Sequence, residues 1–200
     1  MRDIYRIPFL RRDFRERARL INAFIPDLTL ILHYNILESN EWGPDHNLSA
    51  VDKNFSMAFI PGSFMTGELG DAESRMLFLG RLVSEDLRQS EELSGNIVEG
   101  FAQVLGVPAV DYDTTLNYLR RSSLPTDADG VFARNLSLTR MVHGPLCYGE
   151  ALYQDNVDEA MRLNAKTLVV EGMETGLPPR ILDAVDAYVF GVLRFCKEIE

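Results

Sequence analysis

Two residue types in this sequence stand where chemistry could be done. His33 closes the run Leu28-Thr29-Leu30-Ile31-Leu32-His33-Tyr34-Asn35, with Asn35 two positions on, and Glu150 follows Pro145-Leu146-Cys147-Tyr148-Gly149. Both runs are short, apolar and rich in strand-forming side chains, so both read as buried strands. In an open α/β sheet the C-terminal strand ends are where ligands and metals bind. Imidazole is a preferred zinc ligand, and a carboxylate beside zinc can serve as general base for the metal-bound water. Spacing alone does not separate this from an ordinary hydrogen-bonded histidine and a surface glutamate, since any α/β chain has a His and a Glu somewhere.

The elements that must position these residues follow from periodicity. Phe14, Ala18, Ile21 and Phe24 fall at helical spacing within residues 11–24, with Arg12, Arg15, Glu16 and Arg19 outward and Pro26-Asp27 ending the helix. Residues 38–54, with Gly43-Pro44 and Asp45-His46-Asn47, read as a loop. Ser56 to Ile60 reads as a second strand stopped by Pro61-Gly62, a loop that leaves the same edge as His33 if the sheet is parallel. Residues 71–87 read as a helix with Met76, Leu79, Leu82 and Val83 inward. Ser90 or Ser94 could cap the next, which carries Ile97, Val98, Phe101, Val104 and Leu105 and ends at Gly106 and Pro108. Within residues 111–130, Leu116, Tyr118 and Leu119 suggest one ordered piece and residues 122–130 are turn-rich; Arg134 to Arg140 reads as a short helix or turn. Asn156, with Glu159 three residues on, has capping-box spacing. Pro178-Pro179 opens a last helix, residues 180–197, with Ile181, Leu182, Val185, Val189, Val192, Leu193 and Cys196 toward the core. Strands alternating with helices make a three-layer α/β domain, a mostly parallel sheet flanked by helices, over residues 1–200.

Composition narrows the function classes. An apolar fraction of 46% and a charged fraction of 25% suit a globular domain with a full core. A net charge of −10 argues against nucleic acid or an anionic membrane as partner, because either would want a basic surface. No apolar run reaches the ~20 residues of a membrane span, and residues 1–6 carry charge rather than a signal-peptide core. Cys147 and Cys196 make no disulfide framework and are expected as buried free thiols. CxxC, HExxH, GxSxG and GxGxxG motifs do not occur.

Three segments carry a family resemblance. Arg17-Ala18-Arg19-Leu20-Ile21-Asn22, with Pro26-Asp27-Leu28 and Leu32-His33-Tyr34-Asn35, is similar to a helix with Arg and Asn followed by a strand ending in a His-x-Asn motif. Gly144 to Glu150 is similar to a strand presenting a catalytic glutamate, and Tyr153 to Ala160 to the Asn-x-x-Glu helix start after it. In this order they resemble the C-terminal part of the zinc-dependent N-acetylmuramoyl-L-alanine amidases, which hydrolyse peptidoglycan. The resemblance implies a Zn²⁺ cofactor held in part by His33, Glu150 as the catalytic glutamate, and a peptidoglycan or muropeptide substrate. Asn35, Arg134 and Arg140 are the candidate substrate contacts, the arginines because they could hold stem-peptide carboxylates.

The sequence departs from the family at its start. The family takes two further ligands from a Gly-His-Gly-Gly turn and a glutamate on the following helix; the sixteen residues before Arg17 contain neither a histidine nor that turn. The expectation is a domain that begins after the family's first strand and helix, with His46, Asp45 or His143 as conceivable replacement ligands. An inactive amidase-like domain that binds peptidoglycan or a protein, and a zinc amidohydrolase of small N-acyl amino acids, are the rival expectations. The family implies a periplasmic or extracellular setting.

Overall fold

The computed structural model describes residues 2–37, 49–65, 67–112, 117–169 and 176–199, with side chains left undescribed at 2–7, 117, 198 and 199. Asp45 and His46, and most of the loop expected over 38–54, lie outside the described residues. The chain order is α1 (Arg2–Phe24), β1 (Thr29–Asn35), β2 (Met57–Ile60), α2 (Ala72–Val83), α3 (Asp86–Gly100), α4 (Asn117–Ser122), β3 (Leu124–Pro125), β4 (Val131–Ala133), β5 (Leu146–Tyr153), α5 (Val157–Asn164) and α6 (Pro179–Ile199). A π-helical turn, Phe101–Leu105, extends α3, and Gly106 ends it with a positive φ of 70°.

Five strands form one sheet in the order β1-β5-β2-β4-β3. The sheet is mixed. β1 runs parallel to β5 and β2 parallel to β4, while β2 is antiparallel to β5 and β3 to β4. The α/β class with flanking helices is as expected, but β2 runs against β1. The Pro61-Gly62 turn therefore leaves the edge opposite His33, and it is the start of β2, Met57, that lies beside Glu150.

Alternation along the strands sorts the side chains between two faces. Leu28, Leu30 and Tyr34, with Cys147, Ala151, Ala58, Ile60 and Val131, pack against α3 and α6. Ile31, Leu146 and Tyr148 meet Ala18 and Ile21 of α1 on the other face. Farther along that second face Met57, Phe59, Phe132 and Tyr153 surround Leu119 and Tyr118 of α4.

Two helices turn a different face inward than their large apolar residues suggest. In α6 the buried stripe is Ala184, Ala187, Tyr188 and Phe195, while Leu182, Val185, Val189, Leu193 and Cys196 lie outward. Glycines decide this. A Cβ on Gly191 would stand 2.6 Å from Ile97 Cα, and one on Gly100 2.4 Å from the Ala187 carbonyl oxygen. The helices α3 and α6 touch backbone to backbone, which only the small-residue stripe permits. In α2, Met76, Leu79, Leu82 and Val83 face solvent, Val83 at 87% exposure. That helix is fixed by other means. Asp71 caps it at the Ser74 N–H, and the Phe64 and Phe78 rings meet edge to face. Buried Arg81 donates to the carbonyl oxygens of Thr139, Arg140 and Val142 and pairs with Asp86. The expected helix over 71–87 breaks after Val83, and Ser90 and Ser94 lie inside α3 rather than at its cap. On α1, Phe24 is exposed; Ala18 is its buried contact.

Asn156 caps α5, accepting from the Asp158 and Glu159 N–H groups. Only this half of the capping box forms. The Glu159 carboxylate turns instead to buried Arg180 of α6 and accepts from Asn54. Arg180 also donates to the Leu105 carbonyl, so one ion pair joins α5, α6 and the end of the π-helical turn.

Candidate functional site

His33 and Glu150 meet. They are direct partners across the parallel β1–β5 ladder, and alternation places both on the α1/α4 face. The His33 Nδ1 stands 2.8 Å from Glu150 Oε2. An ionised carboxylate can only accept, so Nδ1 carries the proton and donates. That tautomer leaves Nε2 with its lone pair. The Glu150 side chain is 8% exposed and the His33 ring 50%, so the carboxylate forms the floor and the imidazole the rim. The Glu150 contact raises the His33 pKa above its ordinary value, against the opposing effect of partial burial.

Tyrosines line the floor. The Tyr148 ring lies 5.3 Å from His33 and 6.3 Å from Phe59. Burial, aided by the Glu150 charge, pushes its hydroxyl up to about 12. Burial likewise raises Tyr118 and Tyr153. All three phenols therefore remain hydrogen-bond donors at neutral pH beside a carboxylate acceptor. Tyr153 reaches this face through a bulge. His33 pairs with Glu150 but Asn35 pairs with Tyr153, so β5 carries one extra residue, which sends Leu152 to the α3/α6 face.

The remaining expected residues separate. The Asn35 amide is held at both ends, Nδ2 donating to the Tyr118 hydroxyl at 3.0 Å and Oδ1 accepting from the Ile36 N–H at 2.8 Å. The Arg134 guanidinium sits 5.3 Å above the Phe59 ring and 5.8 Å from that of Tyr118, and its charge is felt at Tyr148. It stands at the site as a cation on an aromatic shelf. Arg140 lies in another cleft, between α1 and α2, with Arg11, Arg15, Asp71 and Glu73. His143 occupies the turn before β5, at the opposite end of that strand from Glu150. Its N–H donates to Asn22, which holds α1 to this turn.

Sequence reasoning missed Tyr148 and Tyr118. Tyr148 was within reach, since two residues before Glu150 in a strand is the same face. Tyr118 reads only as part of an ordered piece with Leu116 and Leu119, and nothing local places that piece, now α4, beside the β1–β5 pair.

A zinc centre takes at least three protein donors. Among the described residues no three His, Cys, Asp or Glu side chains gather to hold a metal ion. His33 Nε2 and the second Glu150 oxygen are two donors at most, so the described residues do not fit a complete zinc site.

No protein-family model matches this chain, and neither does any curated protein sequence. Solved structures do. The apo form of the N-acetylmuramyl-L-alanine amidase Ami1 from Mycobacterium abscessus superposes with a TM-score of 0.52 at 12% identity, over 92% of this chain and 61% of that one. The catalytic domain of CwlV, an N-acetylmuramoyl-L-alanine amidase from Bacillus (Paenibacillus) polymyxa var. colistinus, matches with a TM-score of 0.48 at 12% identity, over 91% and 66%. Cwp6 from Clostridium difficile matches at 0.48 and 13%, over 91% and 20%. The chain has the fold of the Ami1 amidase and spans about three-fifths of its length.

Proposed function

We propose that this chain is an amidase-type domain that engages peptidoglycan at the β1–β5 end of its sheet, the chemistry being that of the amide between N-acetylmuramic acid and L-alanine. One observation carries the reading. In a fold shared with a peptidoglycan amidase, His33 and Glu150 form a hydrogen-bonded pair at one register position. Arg134 supplies a cation beside it for a peptide carboxylate, and the partly exposed Tyr148 phenol supplies a donor for a sugar or amide oxygen.

Two residues of the pair have roles at stated atoms. Glu150 Oε2 holds the His33 Nδ1 proton and so fixes the ring's tautomer and direction. In that tautomer His33 Nε2 keeps a lone pair, able to take a proton or a metal. The zinc dependence implied by the resemblance would use that nitrogen. It would need two further donors from outside the described residues, such as Asp45 and His46, and no step is derived through the metal. The reading favoured by the donor set is recognition without turnover by the described residues alone; the hydrogen-bonded His33–Glu150 pair favours turnover as the second reading.

Metal analysis after dialysis against a weak chelator, with muropeptide digestion followed by mass spectrometry, separates them. Binding of muropeptide, weakened by Arg134→Ala, with no stoichiometric zinc and no release of L-alanyl peptide supports the first. One zinc per chain with release of that peptide, abolished by Glu150→Gln, supports the second. Neither binding nor cleavage of muropeptide refutes both.

A further inference from the structure

The fold leaves the cation of the site without a counter-charge. The two buried arginines elsewhere in the chain are paired, Arg81 with Asp86 and Arg180 with Glu159. Arg134 is partly buried, yet its guanidinium has no ion pair and makes no hydrogen bond among the described residues. Ring faces hold it instead, 5.3 Å from the Phe59 centroid and 5.8 Å from that of Tyr118. Tyr118 is in turn tied to the end of β1 by the Asn35 amide at 3.0 Å. A guanidinium seated on ring faces keeps its N–H fork free, and that fork matches a carboxylate bidentately. In a chain of 30 acidic and 20 basic residues, a cation left without a carboxylate calls for an acceptor from outside the chain.

The sheet sets how far that cation lies from the His33–Glu150 pair. His33 is opposite Glu150 and Glu150 is opposite Met57; Phe59, two residues along β2, is opposite Tyr148. The shelf from His33 to Arg134 therefore crosses two strand spacings, roughly 10 Å. Its middle is the Tyr148 ring, 5.3 Å from His33 and 6.3 Å from Phe59. The N–H···O contact of a guanidinium with a carboxylate takes up about 3 Å of that span. An extended peptide advances roughly 3.3–3.6 Å per residue, so the remaining distance is about two residues.

We propose that Arg134 is a specificity residue that reads a free carboxylate two residues along from an amide seated at His33–Glu150. The inference rests on the function proposed above, and there the group read is the α-carboxylate of the stem residue that follows L-alanine. The charged form is what the fork selects. An α-carboxamide at the same place offers one oxygen acceptor and turns an NH₂ group, itself a donor, toward guanidinium donors. One of the two bonds and the charge are then lost, which is worth about tenfold in affinity at a partly exposed site. The site therefore separates stem peptides with a free carboxylate at that residue from those in which it is amidated.

Isothermal titration calorimetry in the presence of a chelator tests this with two compounds. One is N-acetylmuramoyl-L-alanyl-γ-D-glutamyl-L-lysine; the other has D-isoglutamine in the second place and differs only in the α-carboxylate. The chain should bind the free acid about tenfold more tightly. Arg134→Gln should bind both compounds with the weaker affinity, and Arg134→Lys, which keeps the charge without the fork, should retain part of the preference. The net charge of −10 opposes the more anionic compound, so overall electrostatics cannot produce the preference. Equal binding of the two by the parent chain overturns the proposal and leaves muropeptide engagement standing. A preference that persists in an Arg134→Gln variant with the parent's thermal melt overturns it too, since another group would then be the reader. Binding of neither compound refutes this proposal together with the function on which it rests.

Discussion

Gly191→Ala sets two effects of opposite sign against each other. Gly191 lies within α6, where alanine is the better helix former by about 1 kcal/mol. Propensity alone therefore calls the substitution stabilising. The added Cβ, however, would stand 2.6 Å from Ile97 Cα, 2.8 Å from Ile97 N and 2.7 Å from Ile97 Cγ1. Two of these are backbone atoms inside α3, which cannot rotate away as a side-chain tip can. Forcing such helices apart costs typically 1–3 kcal/mol, and a backbone contact belongs at the upper end of that range. The net expectation is a loss of about 1–2 kcal/mol, or about 2–8 °C in melting temperature for a domain of this size. Gly80→Ala is the matched control. Gly80 lies in α2 with nothing within 4 Å of its would-be Cβ, so there the propensity gain of about 1 kcal/mol should stand unopposed. Thermal and urea unfolding of both variants by circular dichroism, beside the parent, is the assay. A Gly191→Ala melting temperature at or above the parent's would refute the backbone-contact account of why α6 turns its small residues inward.

The His33–Glu150 pair makes a pH prediction. Because the folded pKa of His33 is raised above its ordinary 6.5, the pair's stabilisation is complete below about pH 6.5 and is lost as pH rises through the folded value. Half exposure limits it to about 1 kcal/mol or less. The stability difference between the parent and Glu150→Gln should therefore shrink on going from about pH 5.5 to pH 9; a difference that grows over that range would reverse the assigned cause. Arg180→Met alone strands the buried Glu159 carboxylate and should cost about 3–5 kcal/mol, whereas Arg180→Met with Glu159→Leu should recover most of that loss. Additive losses in urea unfolding of the double variant would show that the pair is not coupled. Ellman titration of the native chain should count one thiol, exposed Cys196, and two in denaturant, since Cys147 is buried and its thiol is pushed up to about 12. Two fast native thiols would contradict the seating of β5.

The sequence by itself determined the local elements. Uninterrupted apolar runs marked β1 and β5, a glutamate three residues after Asn156 marked the cap of α5, and His33 and Glu150 could be placed near strand ends because period and turn residues are local properties. Tertiary structure alone decided what those elements do to one another. Whether β2 runs with or against β1 depends on connections whose direction no residue encodes locally. The strand ends therefore became a site only once β1 and β5 were adjacent and in register. The outward apolar stripes of α2 and α6 show the same limit. Periodicity reports that a helix has an apolar stripe, but which stripe is buried depends on how closely its neighbour approaches. At Gly100 and Gly191 that approach is backbone to backbone, so small residues took the core and large ones were left outside. Glu159 looked like half of a capping box until Arg180, twenty-one residues away, offered a buried cation that no spacing rule could announce.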